Sequence, residues 1–159
     1  MLKKCLQGHQ IVATVAQMYL HPDVLPTICD ILNLSSTKCH LSSVATWADQ
    51  TRYRMRWSAA LHYVGAIDDH PSQSCAFPGE HRWAGKSGIN VLDSIKNTTS
   101  LLQAWVNSDT SDVVASEALK FLIHFVGDMH QPLHLTGRGR GGNSIKVLFD
   151  RRHTSKSMP

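Results

Sequence analysis

The sequence predicts an all-α domain with one short β element. Three observations predict it. Apolar residues recur at helical spacing in several long windows, Pro and Gly punctuate the chain between those windows, and only Ile145, Val147 and Phe149 alternate as a strand does. The chain has 159 residues, which favours a single domain over 1–159. That length buries roughly two-thirds of its unfolded surface. Hydrophobic residues make up 42% and charged residues 18%, which excludes a disordered tail.

Each element follows from the local pattern. Ile11, Val12, Val15, Ala16, Tyr19 and Leu20 fall on one side of a helix from about residue 9 to 20. His21-Pro22 ends it, and Pro22 suits the start of a second helix to about Leu32. Residues 33–38 read as a loop. A third helix is expected from Leu41 to about Arg56, with Val44, Trp47 and Ala48 on one side. The segment Ala59 to Val64 fits either a strand or a short helix, and residues 65–88 read as a long loop. Ile89 to Val106 reads as a helix. The strongest pattern runs from Asp112 to Met129, with Val114, Ala118, Leu122, Phe125 and Met129 in phase and Ser111 as N-cap. Pro132 ends it, and Gly137 to Gly142 is a turn.

Composition narrows the function. Sixteen Lys and Arg against twelve Asp and Glu give a net charge of +4, compatible with a polyanionic partner. Ten His exceed Phe and Tyr combined, which raises the expectation of a metal site. The uncharged stretch from Cys5 to Pro22 carries Gln, His and Thr, so no membrane span is expected. Met1-Leu-Lys-Lys resembles the start of a signal peptide, but Gln7-Gly-His-Gln10 interrupts the apolar run. The four Cys form no C-x-x-C pair, which argues against a cysteine zinc site. Cys29 and Cys39 are close enough in sequence to close a small loop. Asn33-Leu-Ser35 and Asn97-Thr-Thr99 are glycosylation sequons, and with an even Cys count they point to an oxidising, secretory setting.

The chemistry concentrates in His124-Phe-Val-Gly-Asp128-Met-His130-Gln-Pro-Leu-His134. His124 and Asp128 are four residues apart on one helical face, so both reach one metal. An imidazole and a carboxylate inside an apolar run need a partner. Gly127 leaves room for a group close to the backbone. His130 is offset from the shared face. His134 follows a proline break, so it is expected to point elsewhere and to serve a second metal. Gly8-His9, Trp47-Ala-Asp49 with Arg52, and Leu61-His62-Tyr63 complete the candidate set.

Taken in order, Gly8-His9, Trp47-Ala-Asp49-x-x-Arg52, Trp57-Ser-Ala-x-Leu-His62-Tyr63, Ala118-Leu-x-Phe-Leu-x-His124-Phe-x-Gly-Asp128-x-x-Gln-Pro-Leu-His134 and Gly141-Gly-Asn143 resemble the single-strand-specific zinc nucleases of fungi and plants. The resemblance covers about residues 4 to 153. It implies a mostly helical, phospholipase C/nuclease-type fold and secreted monomers that bind three zinc ions and no membrane. It also implies endonucleolytic hydrolysis of single-stranded DNA and RNA to 5′-phosphates, with 3′-nucleotidase activity on nucleotides. By motif, Asp49, His62, His124 and Asp128 match the ligands of the first zinc. Asp128 bridges to a second ion that His9 also holds, and His134 matches one ligand of the third. Asp49 orients or deprotonates the attacking water, Arg52 holds the scissile phosphate, Tyr63 stacks a base and Asn143 is a further substrate-binding residue.

The chain departs from that family at three places. Lys4 and Cys5 stand where the family has an N-terminal Trp-Gly whose Trp binds zinc. Ser157 falls where a third-site His belongs, with the matching Asp beyond Pro159. Gly65 replaces an acidic residue of the base pocket. The sequence therefore reads as a truncated member, incomplete at its C-terminus, with one complete zinc site, impaired turnover and Cys75 deprived of its partner. Competing readings are a zinc phospholipase C-like phosphodiesterase and a non-catalytic fragment that binds zinc or nucleic acid.

Overall fold

The computed structural model describes residues 2–66, 83–84, 88–135, 139, 141–142, 144, 146–149 and 152–155. The expected helical fold is present. Among the described residues, five α-helices are α1 (Leu2–Met18), α2 (Val24–Ile31), α3 (Trp47–Thr51), α4 (Val91–Val106) and α5 (Asp112–Met129). Four 3-10 segments, Ser36–Lys38, Leu41–Ser43, Arg56–His62 and Pro132–Leu135, make the connections between and after them. The single expected strand is Lys146–Phe149 (β3), and it has a partner, Arg152–Ser155 (β4), in an antiparallel hairpin that pairs Phe149 with Arg152. A further antiparallel pair joins Gly65–Ala66 (β1) to Trp83–Ala84 (β2).

α5 is the central element, in contact with α1, α2, α3 and α4. Its bounds match the apolar pattern, and the Ser111 hydroxyl accepts from the Val114 N–H to satisfy one orphan donor of the first turn. α4 starts the same way, with the Asn90 side chain accepting from the Asp93 N–H at 3.0 Å. Along α5 the apolar residues divide between two clusters. Ala115, Leu119 and Ile123 pack with Ala13, Ile31, Leu32, Leu41 and Ala45. Phe121 and Phe125 pack with Ala48, Val64 and Val91. At 100° per residue, His124 and Asp128 occupy the stripe between these clusters. That placement explains why both are buried, at 0% and 2% exposure.

The expected third helix from Leu41 to Arg56 is broken instead into a 3-10 turn, the short α3 and a second 3-10 segment. The cause is competition for backbone groups. A continuous helix would give the Ala45 carbonyl to residue 49, but this oxygen accepts from the His124 ring at 2.8 Å. The Leu41 N–H, a first-turn donor that a helix would leave unpaired, is satisfied by the Gln17 side chain at 2.8 Å, and the Ser43 and Thr51 hydroxyls bond nearby carbonyls. The undecided Ala59–Val64 segment is helical of the 3-10 type up to His62. α1 starts seven residues earlier than the pattern suggests, since Leu and Lys are good helix formers and nothing before His9 other than Gly8 opposes them.

Cys29 and Cys39 form a disulfide, as their spacing allows. Gln17 fastens this loop to α1, donating to the Cys39 carbonyl at 3.1 Å. The Cys5 side chain, Cys75, Asn143 and most of the loop 65–88 lie outside the described residues. Among the described residues, no helix is long and apolar enough to cross a membrane.

Candidate metal centre

The buried Asp128 carboxylate is the hub of the site. Its Oδ1 lies 3.0 Å from His9 Nε2 and 3.6 Å from His134 Nε2. Its Oδ2 lies 2.9 Å from His62 Nδ1 and 3.3 Å from His124 Nε2. Asp49 Oδ1 approaches the same His124 nitrogen at 3.7 Å. Six residues proposed from sequence, His9, Asp49, His62, His124, Asp128 and His134, are therefore brought together around the Asp128 carboxylate and the His124 ring from α1, α3, the 56–62 segment, α5 and the 132–135 segment.

Each element has a local reason for its aim. His124 and Asp128 share a helical face. His62 ends its 3-10 segment and meets Phe125 edge-on, with ring centroids 5.4 Å apart. His9 lies flat on His124, with centroids 4.2 Å apart and planes 16° from parallel. The room left by Gly127 is filled by this His9 ring.

His134 departs from expectation. The proline break does not send it elsewhere. The chain turns back through Gln131 N–H to Asp128 O at 3.0 Å and His134 N–H to Gln131 O at 2.9 Å, which returns the ring to Asp128. His130 stays outside the cluster, exposed, with its Nδ1 donating to the Val126 carbonyl.

Two backbone carbonyls that sequence reasoning missed fix the ring tautomers. Ala45 O accepts from His124 Nδ1 at 2.8 Å, and Gly141 O accepts from His134 Nδ1 at 2.7 Å. A carbonyl only accepts, so both Nδ1 atoms carry hydrogen. In the neutral rings both Nε2 atoms are then bare lone pairs, and both face the Asp128 carboxylate. The His124 lone pair also has His62 Nδ1 at 3.1 Å, whereas the His134 lone pair faces the anion at 3.6 Å, a position suited to a cation or a proton between them. An imidazole that donates one nitrogen to a carbonyl and presents the other is the arrangement metal-binding histidines adopt. His62, with Nδ1 on Asp128, keeps Nε2 buried without a hydrogen-bond partner.

The charges respond accordingly. Burial alone would lower the His124 pKa, but the Asp128 charge and hydrogen bond, with Asp49 and the Ala45 carbonyl, outweigh it and raise the imidazole above its ordinary 6.5. Burial alone would raise Asp128, but the charge and hydrogen bond of His124 and the bonds from His62 and His9 hold it well below its ordinary 3.8. Among the described residues, two sets of donor atoms have metal-binding spacing, His9 with His124 and Asp128, and Asp49 with His62 and His124.

Residues 5–156 match the family model of the S1/P1 nucleases. The chain belongs to the S1/P1 nuclease family. Among relatives, it is 41% identical over 148 residues to Nuclease P1 of Penicillium citrinum, covering 92% of this chain and 52% of that protein. It is 36% identical over 150 residues to Nuclease S1 of Aspergillus oryzae, covering 93% and 50% respectively. It is 33% identical over 147 residues to Endonuclease 2 of Arabidopsis thaliana, covering 89% and 49%. The chain spans about half the length of the curated relatives it matches. All six converging residues of this S1/P1 nuclease chain fall within the matched segment.

Arg52 directly follows α3 and is half-buried, and no hydrogen bond or ion pair engages it among the described residues. Tyr63 is also half-buried, and its Cβ and ring back onto Gly141, where an added Cβ would come within 2.6 Å. The φ of +68° at Gly141 is a second reason for glycine there. Gly65 is buried and paired in β1.

Proposed function

We propose that this chain carries the metal-dependent active centre of an endonuclease that cleaves single-stranded DNA and RNA to 5′-phosphorylated products, with 3′-nucleotidase activity. The observation that carries the reading is the pair of carbonyl-fixed imidazoles whose Nε2 atoms face one buried carboxylate. Neutral imidazole and carboxylate are ligands zinc accepts. His9, Asp49, His62, His124, Asp128 and His134 would hold zinc, with the complete set at Asp49, His62, His124 and Asp128. When bound, zinc supplies Lewis acidity at a phosphodiester and a nucleophile at neutral pH.

The chain's own residues do the rest. Asp49, partly exposed beside the buried cluster, orients a water or takes its proton. Arg52, a guanidinium carrying five donors, holds the phosphate. Tyr63 offers a ring face to an unpaired base, which a duplex keeps stacked and hidden. That difference favours single strands. Asn143 donates to substrate beside the glycine turn. Secretion, glycosylation at Asn33 and Asn97, and a monomeric state accompany this reading.

The test is turnover of single-stranded DNA beside duplex DNA and a phosphatidylcholine dispersion, before and after stripping with a chelator and after adding back zinc. Zinc-restored cleavage of the single strand alone is expected. Preferential hydrolysis of the lipid would make the centre a phospholipase, and zinc binding without turnover would leave a binding fragment.

A further inference from the structure

Gly127 lies in the last turn of α5, between the buried Asp128 and Val126. Its φ is not positive, so backbone conformation does not demand glycine there. Glycine is a poorer helix former than any residue but proline, so its presence in this turn has another cause. An added Cβ would lie 2.6 Å from His9 Cδ2, 3.1 Å from Cγ and 3.3 Å from Nε2. Its three nearest neighbours belong to one ring. That ring is held on its far sides, stacked on His124 at 4.2 Å and bonded to Asp128 Oδ1 at 3.0 Å. A methyl group at position 127 displaces His9 or the helix turn, because a close-packed interior has no slack for a 2.6 Å contact.

We propose that Gly127 is a positioning residue. Its missing side chain is the slot that lets His9 reach across from α1, lie on His124 and bring Nε2 to Asp128. Its functional meaning rests on the metal-centre reading above, while the geometry stands without it. Gly127→Ala is expected to weaken zinc binding by about 10–100-fold, the range typical when a residue that orients a ligand is lost. Gly8→Ala, at a site with nothing within 4 Å of the added Cβ, is the control and retains wild-type affinity.

The decisive experiment is a double-mutant cycle in the full chain, with Gly127→Ala made alone and in a His9→Ala background. Three properties are read: the thermal midpoint of the metal-free protein, the upfield ring-current shift of the His9 Cδ2 proton, and zinc affinity by competition with a chelating dye. Gly127→Ala alone is expected to abolish the ring-current shift and lower the midpoint. In the His9→Ala background the same methyl is expected not to lower the midpoint but to raise it by the helix propensity alanine adds, because the ring it would strike is gone. If Gly127→Ala fails to fold, folding of the double variant carries the proposal and unfolding of both overturns it. Equal destabilisation in the two backgrounds, or an unchanged His9 signal in Gly127→Ala, also overturns it. A wild-type chain that binds no zinc would instead refute the proposed function, and the ring shift and the cycle would still decide the role of Gly127.

Discussion

His124 reaches from the Ala45 carbonyl on one side to Asp128 on the other, donating at 2.8 Å and meeting the carboxylate at 3.3 Å. Where the ring is protonated that span is an ion pair, and the pairing holds Asp128 low and raises His124. The stabilisation from Asp128 is present above its unfolded value near 3.8 and is lost as pH falls through the lower folded value. The stabilisation from His124 is present below 6.5 and is lost as pH rises through the higher folded value. The metal-free protein should therefore be most stable between these two unfolded values. Zinc requires the neutral ring and releases its proton, so the stabilisation zinc adds should grow with pH over the neutral range. Thermal midpoints across pH, with and without zinc, test this. A zinc increment that shrinks from pH 6 to 8 would contradict it.

His124→Ala should abolish tight zinc binding, because it removes the nitrogen common to both candidate donor sets and leaves Asp128 buried with its strongest partner gone. His130→Ala should leave binding intact, since its ring bonds only its own helix. Metal content by native mass spectrometry distinguishes the two. We expect about one tightly held zinc per wild-type chain.

Arg52→Ala should lower turnover on single-stranded DNA by roughly 10²–10³, the usual loss for one donor to a developing charge. Zinc affinity should not change. Arg52→Lys should recover only part of the rate, because an ammonium lacks the planar fork. An equal fall in zinc affinity would place Arg52 among the groups that build the centre instead.

Reducing the Cys29–Cys39 bond frees a chain segment with a sequence separation of 10 residues, which chain entropy values at about 3 kcal/mol. The Gln17 bonds to Cys39 O and Leu41 N should keep part of the loop in place. Urea midpoints with and without reductant measure the cost. A shift near zero would mean that the loop is held by Gln17 and the core alone.

Much of this structure is written locally. The 112–129 helix has its apolar phase and its His124/Asp128 face within its own eighteen residues and its N-cap, Ser111, directly before them, and it forms with those bounds. The segment 41–62 is different. Its backbone is shaped by Gln17 and His124, which are distant in sequence, so no periodicity within the segment marks where it bends. The aim of His134 depends on the carbonyl of Gly141, and a carbonyl leaves no trace in a list of side chains. The donor residue types were legible because they are rare on buried faces. Their common focus was not, because it is set by how five segments cross.

His9 and Asp128 are 119 positions apart along the chain. Closing a loop of that size costs about 4 kcal/mol in chain entropy before any contact repays it. The focus of donors therefore cannot exist early in folding, when only local turns have formed. An ion held by the full set arrives late and holds a topology the chain has already found. Zinc should then slow unfolding far more than it speeds folding, and the lifetime of the native state, rather than the rate of reaching it, becomes the quantity that metal supply controls.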